Sequence, residues 1–220
     1  MDPREFLARW VPRSLELAES FTRDRSGRPL PRRWAFYRIV RLVKRHLSSR
    51  VEPRIVLVPG LRGVGKTTLL CQVFLSVRGK GPSFYIPADR VYRALGRRLL
   101  DVLEEISSSE AGPKVVFLDE VTRYPGWADD IKLGYDSDPD LFLVAAGSSA
   151  LSLRADPDLA RRAVFEPLFP LSLSEYALMV GRLGKIRRGL VGEVGRALIS
   201  GDAEALRELE REIRGAISGD

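Results

Sequence analysis

The chain has 220 residues, 45% of them hydrophobic, a formal charge of +7 and a single cysteine. That is enough apolar material for one good core in one main domain. A lone Cys71 excludes an internal disulfide and points to a reducing, cytoplasmic setting, while no window approaches the roughly 20 apolar residues that cross a bilayer, so a soluble chain with no membrane partner is expected.

The charge is unevenly placed. Residues 1–65 carry 15 Lys/Arg against 6 Asp/Glu, and residues 66–220 carry 21 against 23, so the excess lies in the N-terminal part. Such asymmetry suits a DNA or acidic protein partner. A solvated, arginine-rich face is the plainer reading, because no aromatic stacking pattern or reading helix stands out in the sequence.

Residues 2–20 read as a short amphipathic helix carrying Phe6, Leu7, Trp10, Leu15 and Leu17, interrupted at Pro12. The segment "TRDRSGRPLPRR" is loop-like through its Gly, two Pro and dense charge. Over 34–47, Phe36, Ile39, Val40, Val43 and Leu47 form one stripe at helical spacing, with Arg38, Arg41, Lys44 and Arg45 largely off it. His46, beside that stripe and without a second His or nearby Cys, is expected at the surface.

From there the pattern changes to short uninterrupted apolar runs, "IVLV" (55–58), "SFYI" (83–86), "VVFL" (115–118) and "LFLVAA" (141–146), separated by helical stretches. Runs of this kind are strands buried on both faces, and their alternation with helices gives a parallel sheet with covered faces. A fifth strand, "AVFEPLF" (163–169), is weaker because Pro167 must sit at an edge, a bulge or the strand's end. The tail "DAEALRELEREIRGAI" is a helix with Leu206, Leu209, Ile213 and Ile217 on one face and Asp202 placed to cap it.

The stretch after the first strand carries the chemistry. Gly60, Gly65, Lys66 and Thr67 satisfy G-x-x-x-x-G-K-[ST] between a strand and a helix. Glycines let the backbone take conformations closed to other residues and come close to a ligand. The main chain of Gly60, Leu61, Arg62, Gly63, Val64, Gly65, Lys66, Thr67 and Thr68 is then expected to cradle the phosphates of ATP or ADP at a helix N-terminus. Lys66 would reach the β/γ-phosphates and the Thr67 hydroxyl would hold Mg²⁺.

The second half of such a site is an acid at the end of another buried strand, and "KVVFLDE" supplies it. Asp119 is placed to hold Mg²⁺ through its water shell, and Glu120 to orient and deprotonate water for attack on the γ-phosphate. After the next strand come Gly147, Ser148 and Ser149. Their hydroxyls suit either sensing of the γ-phosphate or a helix N-cap. Arg161 and Arg162, ending a helix before the fifth strand, read either as solvated charge or as a group facing a neighbouring subunit's nucleotide in a homo-oligomer.

Four segments, "GLRGVGKTTLLCQ", "FLDEVTRYPGWADDIKLGYD", "LVAAGSSALSL" and "LARRAVFEPLFPLSLSEY", together resemble the AAA+-type ATPases called archaeal ATPases, over about residues 50–180. The resemblance implies an α/β, three-layer P-loop NTPase with a mainly parallel five-stranded sheet of order 5-1-4-3-2, binding ATP with Mg²⁺. It gives Lys66, Thr67, Asp119 and Glu120 the roles above, makes Ser148 the sensing residue, and aligns Arg162 with an arginine ahead of P-L-S. It also aligns Asp89 with a family acid, where a helix cap is equally suited, and Trp127, expected to pack.

The organisation expected is a basic helical segment over 1–50, a P-loop ATPase core over 51–180, and a short helical segment over 181–220 in place of a full lid. The function expected is hydrolysis of ATP to ADP and phosphate, coupling nucleotide state to a partner. A switch with negligible turnover, a small P-loop kinase and a DNA-associated ATPase module are the alternatives.

Overall fold

The structure is a computed structural model that describes residues 2–50, 52–96, 98–148, 157–173, 175–176, 193, 196–197 and 200–218. Two helices, α1 (Pro3–Phe21) and α2 (Trp34–Ser49), precede the first strand, β1 (Ile55–Pro59). Then follow α3 (Lys66–Val77), β2 (Ser83–Pro87), α4 (Ala88–Leu95), α5 (Leu99–Ser109) and β3 (Lys114–Asp119). A single 3-10 turn over Val121–Arg123 leads to α6 (Trp127–Ser137), β4 (Leu141–Gly147), α7 (Pro157–Arg162), β5 (Ala163–Phe165) and finally α8 (Ala203–Ser218).

The five strands form one sheet of order β2-β3-β4-β1-β5, with every pairing parallel. This is the α/β P-loop NTPase arrangement expected, read from the opposite edge. Side chains alternate across the pleat, and here both faces are covered. Ile55, Leu57, Val116, Leu118, Leu141, Leu143 and Ala145 pack with α4, α5 and α6 on one face. Val56, Val58, Val115, Phe117, Phe142, Val144 and Ala146 pack with α2 and α3 on the other. That double burial is why the strands read as unbroken apolar runs.

Helix α1 runs through Pro12, contrary to the expected interruption. An interior proline costs about 3 kcal/mol of local helix. Trp10, Ser14 and Ala18 are nevertheless buried on both sides of it, and burial of one large apolar side chain contributes about 1.5–3 kcal/mol, so packing overrides the local break. Trp10 also donates its indole N–H to the Tyr85 carbonyl at 2.6 Å, covering the edge strand β2.

Strand β5 ends at Phe165, but residues beyond it stay beside β1. The Glu166 amide donates to Leu57 and the Leu168 amide to Pro59, both at 2.8 Å. Pro167, between them, faces away from β1, so its missing N–H forfeits no ladder bond.

His46 is fully buried, not at the surface as the sequence suggested. Its Nε2 lies 2.9 Å from the Asp140 carbonyl and its ring packs 5.2 Å from that of Phe142. Burial holds its pKa below the usual histidine value. Asp89 lies in the first turn of α4, whose cap is Pro87, so it faces the helix dipole and is not the cap. Trp127 packs in the core at the start of α6.

The chain divides into two compact units, residues 1–170 and 171–220. Helices α1 and α2 belong to the first. In the second, Ser172 and Glu175 form a reciprocal capping box, each backbone amide donating to the other's side chain at 3.1–3.2 Å. Asp202 caps α8 by accepting from the Ala205 amide at 3.0 Å, and Leu209 packs with Leu206 and Ile213 on one face. The side chain of Ile217 lies outside the described residues. No helix among the described residues is long and apolar enough to cross a membrane.

Candidate functional site

The loop between β1 and α3 stands at the C-terminal edge of the sheet. Gly63 and Gly65 adopt φ of +84° and +93°, the left-handed region that favours glycine. Gly60 is constrained differently: a Cβ there would lie 2.5 Å from the Leu168 carbonyl oxygen. The close approach that the sequence reading assigned to a ligand is, at this glycine, an approach of the chain to itself.

Gly65 caps α3, and the amides of Lys66, Thr67 and Thr68 open the helix without intrahelical acceptors, as first-turn amides must. Leu61, Arg62 and Gly63 are exposed at the tip, while Val64 and Thr68 are half-buried. The Lys66 ammonium donates to the carbonyls of Gly60 and Leu61 at 2.8 and 2.9 Å, curling the loop over itself. Burial pulls its pKa below the ordinary lysine value, opposed by the charges of Glu120 and Asp119.

The two halves of the site meet through one hydrogen bond. The Thr67 hydroxyl donates to Asp119 Oδ2 at 2.7 Å, across 52 positions of sequence. The same oxygen accepts from the Tyr85 hydroxyl at 2.9 Å, and Oδ1 accepts from the Glu120 amide at 2.9 Å. A threonine hydroxyl beside a buried carboxylate is a hard-oxygen set that fits Mg²⁺, which takes one or two protein ligands and completes its shell with phosphate and water. Among the described residues no larger cluster of metal-ligating side chains competes with it.

Tyr85 was invisible as a site residue because it sits inside an apolar strand run. Burial and the adjacent Asp119 raise its pKa, so it stays a donor. Cys71 packs behind it, its thiol pushed up to about 12 by burial. That value leaves no reactive thiolate near neutral pH.

Glu120 leaves the strand by a left-handed step, φ 54° and ψ 35°. A non-glycine residue there costs about 1–2 kcal/mol. The step places its carboxylate 3.5 Å from the Ser148 hydroxyl and 3.3 Å from Arg123. Gly147 permits this closeness, since a Cβ on it would stand 2.5 Å from Thr122 Cγ2 in the turn after Glu120. Ser149 lies outside the described residues.

Arg33 was also missed. It is buried at the head of α2 and donates to the Val64 carbonyl and the Phe169 carbonyl, each at 2.9 Å. In an arginine-rich segment nothing in the sequence separates it from its neighbours.

Arg162 is not brought to this group within the chain. It donates to both carboxylate oxygens of Asp136 at 2.7 and 2.8 Å. The next residue, Ala163, pairs with Ile55, the first residue of β1, whereas the loop follows the last. At about 3.3 Å per residue the two ends are ~13 Å apart. Arg161 pairs with Asp158 on its own helix.

Comparisons with known proteins agree with the geometry. The family model described as "AAA domain" matches residues 52–177, more than half of the chain. An uncharacterized protein of Methanocaldococcus jannaschii, MJ1637, is 36% identical over 146 residues, 61% of this chain and 30% of that protein, so the chain spans under a third of that relative's length. Among solved structures, PCH-2 of C. elegans superposes with a TM-score of 0.51 at 16% identity, covering 83% of this chain and 51% of that one. That superposition shows a shared fold. With the family model spanning loop, acid pair and sheet alike, the chain belongs to the AAA domain family, the nucleotide-binding P-loop ATPases.

Proposed function

We propose that this chain hydrolyses ATP to ADP and phosphate with Mg²⁺ and uses its nucleotide state to alter contacts with a partner, as a member of the archaeal ATPase branch. The observation that carries the reading is the 2.7 Å bond from Thr67 to Asp119, with Glu120 turned out of the strand immediately beside it. The loop amides and Lys66 hold the phosphate chain. Thr67 and Asp119 hold the metal, which offsets the phosphate charge when bound. Glu120 accepts the proton of a water whose oxygen forms the new bond to the γ-phosphorus, as the bond to the β–γ bridging oxygen breaks and ADP departs. Ser148 holds the Glu120 carboxylate towards that water. The buried Asp119 accepts from three donors that fix its orientation, whereas Glu120 is partly open to solvent, which suits the first to a static metal role and the second to proton transfer.

The test is steady-state release of phosphate from ATP by wild type and Glu120→Gln. The expected result is Mg²⁺-dependent release that falls at least a hundredfold in the variant while ATP is still bound. Equal release by both proteins would leave Glu120 no proton-transfer role. Phosphate appearing on a second substrate, and not free, would make the chain a kinase.

A further inference from the structure

The outer face of α2 is a basic and aromatic strip that the nucleotide site does not use. At 100° per residue, Trp34, Tyr37, Arg41, Lys44, Arg45 and Ser48 fall within an arc of about 100°. All six are exposed, Trp34 at 55% and Tyr37 at 53%. The opposite arc, with Phe36, Ile39 and Val43, is buried against the sheet. The helix contains no Asp or Glu. Arg38, on the strip's margin, is held by Glu166, which leaves Arg41, Lys44 and Arg45 as the strip's outward charges. The Trp34 and Tyr37 rings stand 6.4 Å apart at one end.

We propose that this face binds single-stranded nucleic acid, with Trp34 and Tyr37 stacking bases and Arg41, Lys44 and Arg45 contacting phosphates. The inference is independent of the ATPase reading, since none of these residues belongs to the phosphate loop or the acid pair. Three points favour this occupant. The strip runs ~21 Å from Trp34 to Ser48 with no acidic residue on the helix to oppose its three cations, enough for roughly six stacked nucleotides at 3.4 Å. Two exposed flat rings beside a cationic row are the pairing that sequence-tolerant strand binding requires. An anionic bilayer is served worse, because the apolar side of α2 is already committed to the protein core and has nothing to insert.

The experiment is fluorescence anisotropy with labelled oligo-dT and the matching mixed-sequence duplex, using the full chain without nucleotide at rising salt. Three charge contacts to a single strand predict a slope of log K against log salt of about −2. The variant Arg41→Glu/Lys44→Glu/Arg45→Glu should lose at least tenfold in affinity and flatten that slope. Trp34→Ala/Tyr37→Ala, which removes two stacking rings, should lose at least about thirtyfold with the slope kept. An unchanged melting temperature in both would show that these exposed positions leave the fold intact. Trp34 gives a second readout: Trp10 and Trp127 are buried, so quenching of tryptophan emission by oligo-dT should vanish in Trp34→Phe. The proposal is overturned by absence of oligo-dT binding at ~50 mM salt, by an aromatic variant that binds like wild type, by tighter binding of the duplex, or by capture on phosphatidylserine vesicles in place of oligo-dT.

Discussion

Arg33 donates to the carbonyl of Val64, 31 residues further on, at 2.9 Å. The same guanidinium reaches the Phe169 carbonyl at 2.9 Å, and the segment holding Phe169 runs past Gly60 through Leu168. One buried cation therefore ties the phosphate loop to the strand extension that flanks it. The planar fork suits this, since it serves two carbonyls in different directions at once.

Arg33→Gln removes the charge and leaves at least one buried carbonyl unpaired. Charge-assisted hydrogen bonds contribute about 1.5–3 kcal/mol each, so the expected loss of stability is ~2–4 kcal/mol by denaturant titration. ATP affinity should fall about tenfold as the loop loses its tether. Arg33→Lys, which keeps charge but reaches fewer acceptors, should fall between. Full stability loss with unaltered ATP affinity would show that the loop is held without Arg33.

Glu120 occupies a left-handed backbone position at the end of β3. Comparing Glu120→Ala with Glu120→Gly isolates that backbone cost, because both lose the Arg123 and Ser148 contacts equally. Glycine should be the more stable of the two by about 1 kcal/mol, and both should be inactive in phosphate release. Alanine matching glycine in melting temperature would mean that the position holds no strain.

The sheet was legible because its physics is one-dimensional. A strand buried on both faces shows itself as a run such as "IVLV", and the phosphate loop and acid pair sit at the ends of such runs. What escaped depends on partners far away in sequence. Tyr85 looks like strand filling until Asp119 lies 2.9 Å from its hydroxyl. His46 looks polar and outward until Asp140 and Phe142 close over it. Pro12 signals a break that only the buried neighbours Trp10 and Ser14 outweigh.

His46 gives the fold a pH dependence with a definite sign. Its folded pKa lies below the ordinary 6.5, chiefly through burial, assisted by the positive Arg54 and opposed by the Asp140 carbonyl and by the Asp140 and Glu52 charges. The unfolded chain then binds the extra proton below pH 6.5 and the folded chain does not. Stability from this group is present above pH 6.5 and is lost as the pH falls through the folded value. His46→Gln should remove part of the acid-side slope below about pH 6.5, at a cost of about 1–3 kcal/mol from lost packing at neutral pH. An identical slope in both proteins would assign the acid sensitivity to carboxylates instead.

Arg162 separates a structural role from one between subunits. Its pair with Asp136 is partly exposed, with side-chain exposures of 34% and 53%, and such pairs contribute about 0–1 kcal/mol. Arg162→Ala should therefore melt within about 3 °C of wild type. Within its own chain it stands at the end of β1 away from the loop, so any effect on turnover must come from contact with another copy. If it serves a neighbour's nucleotide, wild-type phosphate release per molecule should rise with protein concentration, and the variant's should stay flat. Adding Glu120→Gln protein, which keeps Arg162, should then restore release by Arg162→Ala protein, because each copy supplies what the other lacks. Failure of that mixture, with wild-type turnover independent of concentration, would confine Arg162 to its pair with Asp136.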